Sequence, residues 1–136
     1  MPRLHVLAVS ARLPAWAEAA CADYAKRMPK GYEVSRASLR QSDLRSLASR
    51  YKGSRVVALD ERGKEFGTVE FSKLLGGETA FVIGGADGLP DDFKKEAALL
   101  LRLSALTLPH ALAQVVLMEQ IYRAATLLTG HPYHRG

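Results

Sequence analysis

Residues 79–90 read TAFVIGGADGLP, and the fold class follows from this stretch. Thr79 to Ile83 form an unbroken strand-favouring run of the kind buried on both faces of a parallel sheet. The run stops at Gly84, Gly85 and Gly88, where a chain without Cβ atoms can approach other backbone closely or adopt positive φ. Asp91 and Asp92 then put negative charge at the start of a helix predicted to reach about Leu100. A strand entering a helix through glycines places its turn at the carboxyl edge, where open α/β sheets bind ligands. The spacing is neither G-x-G-x-x-G nor a P-loop, which ends in Gly-Lys-Ser/Thr. No acid stands about twenty residues on to hold a ribose, so dinucleotide binding is disfavoured.

Working outward, residues 4–9 and 55–59 repeat the short apolar run, and residues 32–39 alternate more loosely. A fifth strand is expected within residues 101–108. Between them, helical spacing links Trp16, Ala20 and Tyr24, and also Ala17, Cys21 and Met28, in a helix opened by Pro14 and ended by Gly31. Leu44 and Leu47 mark a short helix or loop over residues 41–52, residues 60–67 read as a charged loop, and residues 68–75 as a modest helix capped by Thr68. The longest helix begins at Pro109-His110 and runs to about Leu127. Strands alternating with helices predict an α/β domain with a mostly parallel sheet. With 136 residues, 48% of them hydrophobic, and no linker or repeat, the chain reads as one domain, 1–136.

Charge is unevenly placed. Eleven basic residues face four acidic ones through Arg55, against eight and ten beyond it. A basic N-terminal segment suits a polyanion, nucleic acid first, and Arg3, Arg12, Lys26, Arg27 and Lys30 are candidates for that face. Cys21, the single cysteine, excludes an intrachain disulfide and a multi-cysteine metal site. Arg102 interrupts the longest apolar candidate for a membrane span, and His5 and Arg12 make residues 4–11 a poor signal peptide. The expected location is the cytoplasm, with no membrane partner.

The C-terminal third carries the chemistry-bearing residues. His110, His131 and His134 fall in the last 27 residues with Tyr122, Arg123, Tyr133 and Arg135. Glu119 and Arg123 are spaced to pair on one helix face. H-x-x-H at 131–134 has no fixed carboxylate partner, which argues against a metal site. Ser104 lacks the strand-turn-helix elbow of a G-x-S-x-G nucleophile.

Taken together, residues 81–89 (FVIGGADGL), 103–110 (LSALTLPH), 119–124 (EQIYRA) and 131–135 (HPYHR), with the opening strand and helix, resemble the RlmH family across the whole chain. These are SPOUT-class methyltransferases that modify N3 of a pseudouridine in large-subunit ribosomal RNA. The resemblance implies an α/β knot, a parallel-rich sheet flanked by helices with the C-terminal segment threaded as a trefoil knot, a rare exception to ordinary connectivity. It implies S-adenosylmethionine as cofactor, bent into a pocket formed by Leu59, Gly84, Leu103, Ser104, Ala105, Leu106, Thr107 and Leu108. It implies a homodimer with facing knot helices, in keeping with an apolar stretch at residues 115–118 in need of a partner, and no metal. The methyl acceptor would be a splayed base in a stem-loop of the 23S RNA, on the assembled ribosome.

His110, Arg123, Tyr133, His134 and Arg135 are the catalytic candidates. Arg123 and Arg135 would meet phosphate or developing negative charge, His134 would accept the N3 proton, and Tyr133 would stack on a base. Two departures from the family stand out: residues 41–53 look shortened, and Gln114 occupies a position where many members have arginine. The latter leaves a rival reading, a ribosome-binding module without chemistry. Two others are a SPOUT enzyme acting on transfer RNA and a plain nucleotide-binding regulator.

Overall fold

The computed structural model describes residues 3–9 and 12–134, with the side chain of His134 left out. Five strands, β1 (Leu4–Val9), β2 (Val34–Leu39), β3 (Arg55–Glu65), β4 (Thr79–Ile83) and β5 (Leu99–Arg102), form one sheet in the order β2-β1-β4-β3-β5. Every pairing is parallel. Each connection therefore crosses a face of the sheet, and both faces are covered. On one face lie α1 (Ala15–Arg27), α3 (Thr68–Ser72) and α5 (His110–Thr129), packing Cys21, Phe71, Leu117, Met118 and Ile121 onto Val6, Ala8, Phe81 and Ile83. On the other, Leu44, Leu47, Leu89 and Phe93 cover Leu7, Val9, Ala80 and Val82. These belong to a 3-10 stretch (Gln41–Ser46), α2 (Leu47–Arg50), the loop after β4, and α4 (Asp91–Glu96). Alternate residues of β1 and β4 thus enter different cores, which is why both strands read as unbroken apolar runs.

Phe81 is fully buried in the central strand and stacks on Phe71 at 5.6 Å between ring centroids. Phe81→Ala leaves a cavity that the surrounding strands cannot close, and is expected to lower unfolding stability by about 3–5 kcal/mol. Denaturant titration of the two proteins checks this.

Six sequence expectations are corrected. The helix after the glycine loop stops at Glu96, and the fifth strand is Leu99–Arg102 rather than part of 101–108. Leu99, Leu100 and Leu101 find ladder partners in Val57, Ala58 and Leu59, and this pairing overrides their helical preference. The supposed loop at 60–67 is largely strand: Leu101 pairs with both Leu59 and Lys64, so residues 60–63 bulge out of β3. Gly63 closes the neck of that bulge, for a Cβ there would lie 2.7 Å from the Leu100 carbonyl carbon. Helix α1 ends at Arg27, with Met28 already extended before Pro29, which disfavours helical backbone in its predecessor. Trp16 is 57% exposed while Ala17 and Cys21 hold the buried face. Gly67, not Thr68, caps α3, and the Thr68 hydroxyl instead donates to Gln120 Oε1 at 3.1 Å.

A two-pronged ion pair ties α1 to β2: Arg36 donates to the Glu18 carboxylate at 2.9 and 3.0 Å. These hydrogen bonds hold the Glu18 carboxyl below its ordinary range. A depressed folded-state pKa gives stability present above the unfolded value and lost as pH falls through the folded one. Arg36→Met is therefore expected to move the Glu18 titration upward, toward the ordinary carboxylate range, as read by carboxyl-carbon NMR.

Candidate active site

A cleft of about 650 Å³ opens at the carboxyl edge of β3, β4 and β5. The loop after β4 forms one wall. Gly88 N–H donates to Gly85 O at 2.9 Å, and Gly88 sits at φ +74°, a left-handed position that completes the turn. Gly84 is close to the returning chain, since a Cβ there would lie 2.7 Å from the Gly88 carbonyl carbon and 2.9 Å from Leu89 N. The opposite wall is the segment after β5, which crosses the strand ends to reach α5.

Leu59, Gly84, Leu103, Ser104, Leu106, Thr107 and Leu108 all line this cleft; Ala105 is exposed and does not. In the segment 104–108, the Ser104 hydroxyl accepts the Leu106 N–H at 2.9 Å. Among the described residues, the backbone of this segment makes no hydrogen bond to other backbone groups. Among the described residues its remaining N–H and C=O groups have no backbone partner, and Leu59, Leu103 and Leu108 give apolar surface beside them. Shape plus main-chain polarity suits a bent molecule with an aromatic base and a polar tail.

His110 also lines the cleft, at the start of α5. Its Nδ1 lies 3.1 Å from Gly84 O and its Nε2 2.7 Å from the Gln114 amide nitrogen. A carbonyl only accepts, so Nδ1 donates to Gly84 O, and the ring spans from the glycine loop to Gln114. Both nitrogens are engaged, and His110 braces the glycine loop against α5. Gln114 is buried and sets its amide against the His110 ring.

The charged rim was not anticipated. Asp60, Glu61 and Arg62 of the β3 bulge line the cleft with Lys94 of α4. Lys94 Nζ sits 3.5 Å from Asp60 and 3.7 Å from Asp91, fastening α4 to the bulge. The signal available in sequence was a charged run interrupted by Gly63, and it resembles any solvated loop.

The other candidates assemble at the far end of α5. Glu119 accepts from Arg123 at 2.8 and 3.1 Å and from the Tyr133 hydroxyl at 2.9 Å. Tyr133 meets the Tyr122 ring edge-on at 4.5 Å, with the Arg123 guanidinium 5.2 Å from its centroid. Burial, together with hydrogen bonding to Tyr24 and Glu119, pushes the Tyr133 phenol well above its ordinary pKa. The Glu119 hydrogen bonds likewise raise Arg123. Helix α5 ends at Gly130, φ +78°, and His131 N–H turns back onto Thr126 O at 2.9 Å. His131 itself is exposed. The backbone of His134 lies in a 3-10 turn, Pro132–His134, while its side chain and Arg135 lie outside the described residues.

Of the basic-face candidates, Arg3, Arg12, Lys26 and Lys30 are exposed. Arg27 is also exposed, but it pairs with Asp23 at 3.3 Å and lies over Tyr122. His110 and Arg123 are thirteen positions apart on the helix, about 20 Å along the axis. One protomer therefore does not bring the cleft and the C-terminal cluster together.

A five-stranded parallel sheet with a glycine turn, a crossing segment and a long closing helix around one edge cleft matches a known class. Residues 2–134 match the family described as "Predicted SPOUT methyltransferase". The chain belongs to the SPOUT methyltransferase family. It is similar to proteins named ribosomal RNA large subunit methyltransferase H. One, from Paraburkholderia xenovorans, is 43% identical, covering 98% of this chain and 99% of the relative. Another, from Polynucleobacter asymbioticus, is also 43% identical, with the same coverage. The first alignment spans 154 residues against the 136 of this chain, so that relative carries additional residues. Among solved structures, the fold is shared with the SpoU methyltransferase AviRb from Streptomyces viridochromogenes in complex with AdoMet, at TM-score 0.55 and 15% identity, covering 88% of this chain and 56% of that one. It is shared too with an AdoMet-bound rRNA methyltransferase from Sinorhizobium meliloti, at TM-score 0.53 and 16% identity, covering 89% and 56%.

Proposed function

We propose that this chain transfers a methyl group from S-adenosylmethionine to N3 of a pseudouridine in large-subunit ribosomal RNA, acting in the cytoplasm on the assembled ribosome. The observation that carries this reading is the end-to-end similarity to proteins named for large-subunit ribosomal RNA methylation. The cleft supports it, because the main-chain groups at 104–108 that lack a backbone partner among the described residues, beside apolar walls, fit the cofactor's adenine and amino-acid ends. When bound, the cofactor supplies a methyl group activated on a sulfonium, so the protein's share is orientation and electrostatics.

Leu59, Leu103 and Leu108 would enclose the adenine, and the backbone of Gly84 and of 104–108 would hold its polar edges. His110, locked between Gly84 and Gln114, keeps the two walls at a fixed separation. The acceptor nitrogen must lose a proton, a task we assign to His134. Arg135 stabilises the anionic base that results, since Arg123 already faces Glu119. A trefoil knot would be formed by the segment after β5, which makes the cleft wall opposite the glycine loop before α5 begins.

A homodimer completes the site. With the cleft and the C-terminal cluster about 20 Å apart along α5, a second copy in antiparallel orientation would bring the tail of one protomer to the cleft of the other. Leu117 and Met118 are buried within the protomer, so of residues 115–118 it is half-buried Val116, beside Leu112 at 37% exposed, that leaves apolar surface for a partner. Mixed dimers test this arrangement. Gly84→Val damages a cleft and Arg135→Ala damages a tail, so a heterodimer retains one intact pairing. Random mixing is expected to recover about a quarter of wild-type activity if sites are shared. No recovery means each protomer works alone.

The reaction is tested in cells by expressing the chain in a bacterium lacking its own enzyme of this type and digesting its large-subunit RNA. N3-methylpseudouridine is expected to appear, and its absence despite good expression contradicts the assignment.

A further inference from the structure

We infer that Glu119 is a positioning residue: its carboxylate on α5 fastens the C-terminal tail at Tyr133, through the hydroxyl, one position before His134. The inference rests on the methyl-transfer reading for its consequence in catalysis, while the fastening itself is a matter of geometry.

Glu119 Oε2 accepts from Arg123 Nε, Arg123 Nη2 and the Tyr133 hydroxyl, at 3.1, 2.8 and 2.9 Å. Glu119 Oε1 takes the Gln120 amide at 2.8 Å. Oε2 thus gathers three donors, more than its own lone pairs, while Oε1 takes one and keeps an acceptor site open. The Glu119 and Arg123 side chains are only 20% and 23% exposed, which sets this pair apart from a solvated surface bridge of negligible worth.

The tail needs such an anchor. Gly130 reverses the chain, and the Tyr133 N–H bonds within the tail, to His131 Nδ1 at 3.3 Å. Among the described residues, the Tyr133 hydroxyl makes the tail's side-chain hydrogen bond back to the helix body. The ring sits edge-on to buried Tyr122 and within reach of two guanidiniums, Arg123 at 5.2 Å and Arg27 at 5.8 Å. Tyr133 is thus held by its own protomer at both hydroxyl and ring. A base could stack on it only by displacing these partners, so we assign it to tail placement instead. Arg123 belongs to the same fastening.

Two variants test this. Tyr133→Phe removes only the hydroxyl, and Glu119→Gln keeps an oxygen acceptor but removes the charge. In both homodimeric proteins, amide hydrogen exchange at 131–134 is expected to accelerate about tenfold or more, while protection in the middle of α5 stays unchanged. Affinity for S-adenosylmethionine should stay within about twofold, because the cleft is at the other end of the helix. Turnover on ribosomes should fall at least about tenfold with little change in KM, the signature of misplaced groups rather than lost binding. The double variant should be no worse than the more damaged single one.

Unchanged exchange in both variants overturns the fastening, whatever the activity. Faster exchange with wild-type turnover overturns the positioning role. If the wild-type protein methylates nothing, the reaction assignment fails, and the exchange measurement still decides whether Glu119 holds the tail.

Discussion

Gly84→Val is expected to lower affinity for S-adenosylmethionine by at least about a hundredfold, measured by calorimetry. Even the first carbon of a side chain at this position would meet the Gly88 carbonyl carbon at 2.7 Å and Leu89 N at 2.9 Å. Both contacts are backbone, so the loop itself must move, and valine adds two further carbons to the collision. Overpacking of this kind ordinarily costs about 1–3 kcal/mol. Here the displaced atoms include the Gly84 carbonyl that accepts the His110 Nδ1–H hydrogen bond, so the wall at 104–108 shifts with it. Thermal stability should fall as well, but less than binding, since β4 ends at Ile83 and its core contacts remain. Gly88→Ala separates sterics from backbone conformation. Nothing lies within 4 Å of a Cβ at Gly88, but φ is +74°, so its effect comes from left-handed strain alone, of order 1 kcal/mol. Unimpaired cofactor binding by Gly84→Val would contradict the placement of the cofactor in this cleft.

The second large effect concerns the tail. His134→Ala and Arg135→Ala are each expected to reduce turnover by about 10²–10⁴-fold, the range for loss of a general base or of a transition-state charge, with cofactor affinity retained. The two losses should respond differently to conditions. Higher pH should partly rescue His134→Ala, because the N3 proton then leaves without an acceptor. It should not rescue Arg135→Ala as fully, because the anionic base still lacks its cation. Lysine at 135 should recover part of the rate by restoring charge without the planar fork of donors. Full methylation by both alanine variants would remove the tail from the mechanism.

The fold was legible where a residue's surroundings are local or its burial complete. β1 and β4 were readable to their ends because both faces of each are buried, and the start of α5 was marked by Pro109 ahead of His110. The cleft lining came from matched motifs, and Ala105 stands outside it although Ser104 and Leu106 on either side line it. What could not be read depends on partners distant in sequence. Leu99 to Leu101 look like the end of a helix until Val57 to Leu59 supply a ladder. The bulge at 60–63 exists because one residue of β5 faces two of β3, a matter of register that no local pattern records. The Glu119–Tyr133 bond spans fourteen positions and a helix end, whereas Glu119–Arg123, four apart on one face, was evident from spacing.

Incubating the protein with methyl-labelled S-adenosylmethionine and either assembled ribosomes or free ribosomal RNA, then identifying the labelled nucleoside by mass spectrometry, tests the central claim most directly. Label in N3-methylpseudouridine from the large subunit, and far more of it from ribosomes than from free RNA, is the predicted result. Label in another nucleoside, or none from either substrate while the cofactor binds, would contradict it.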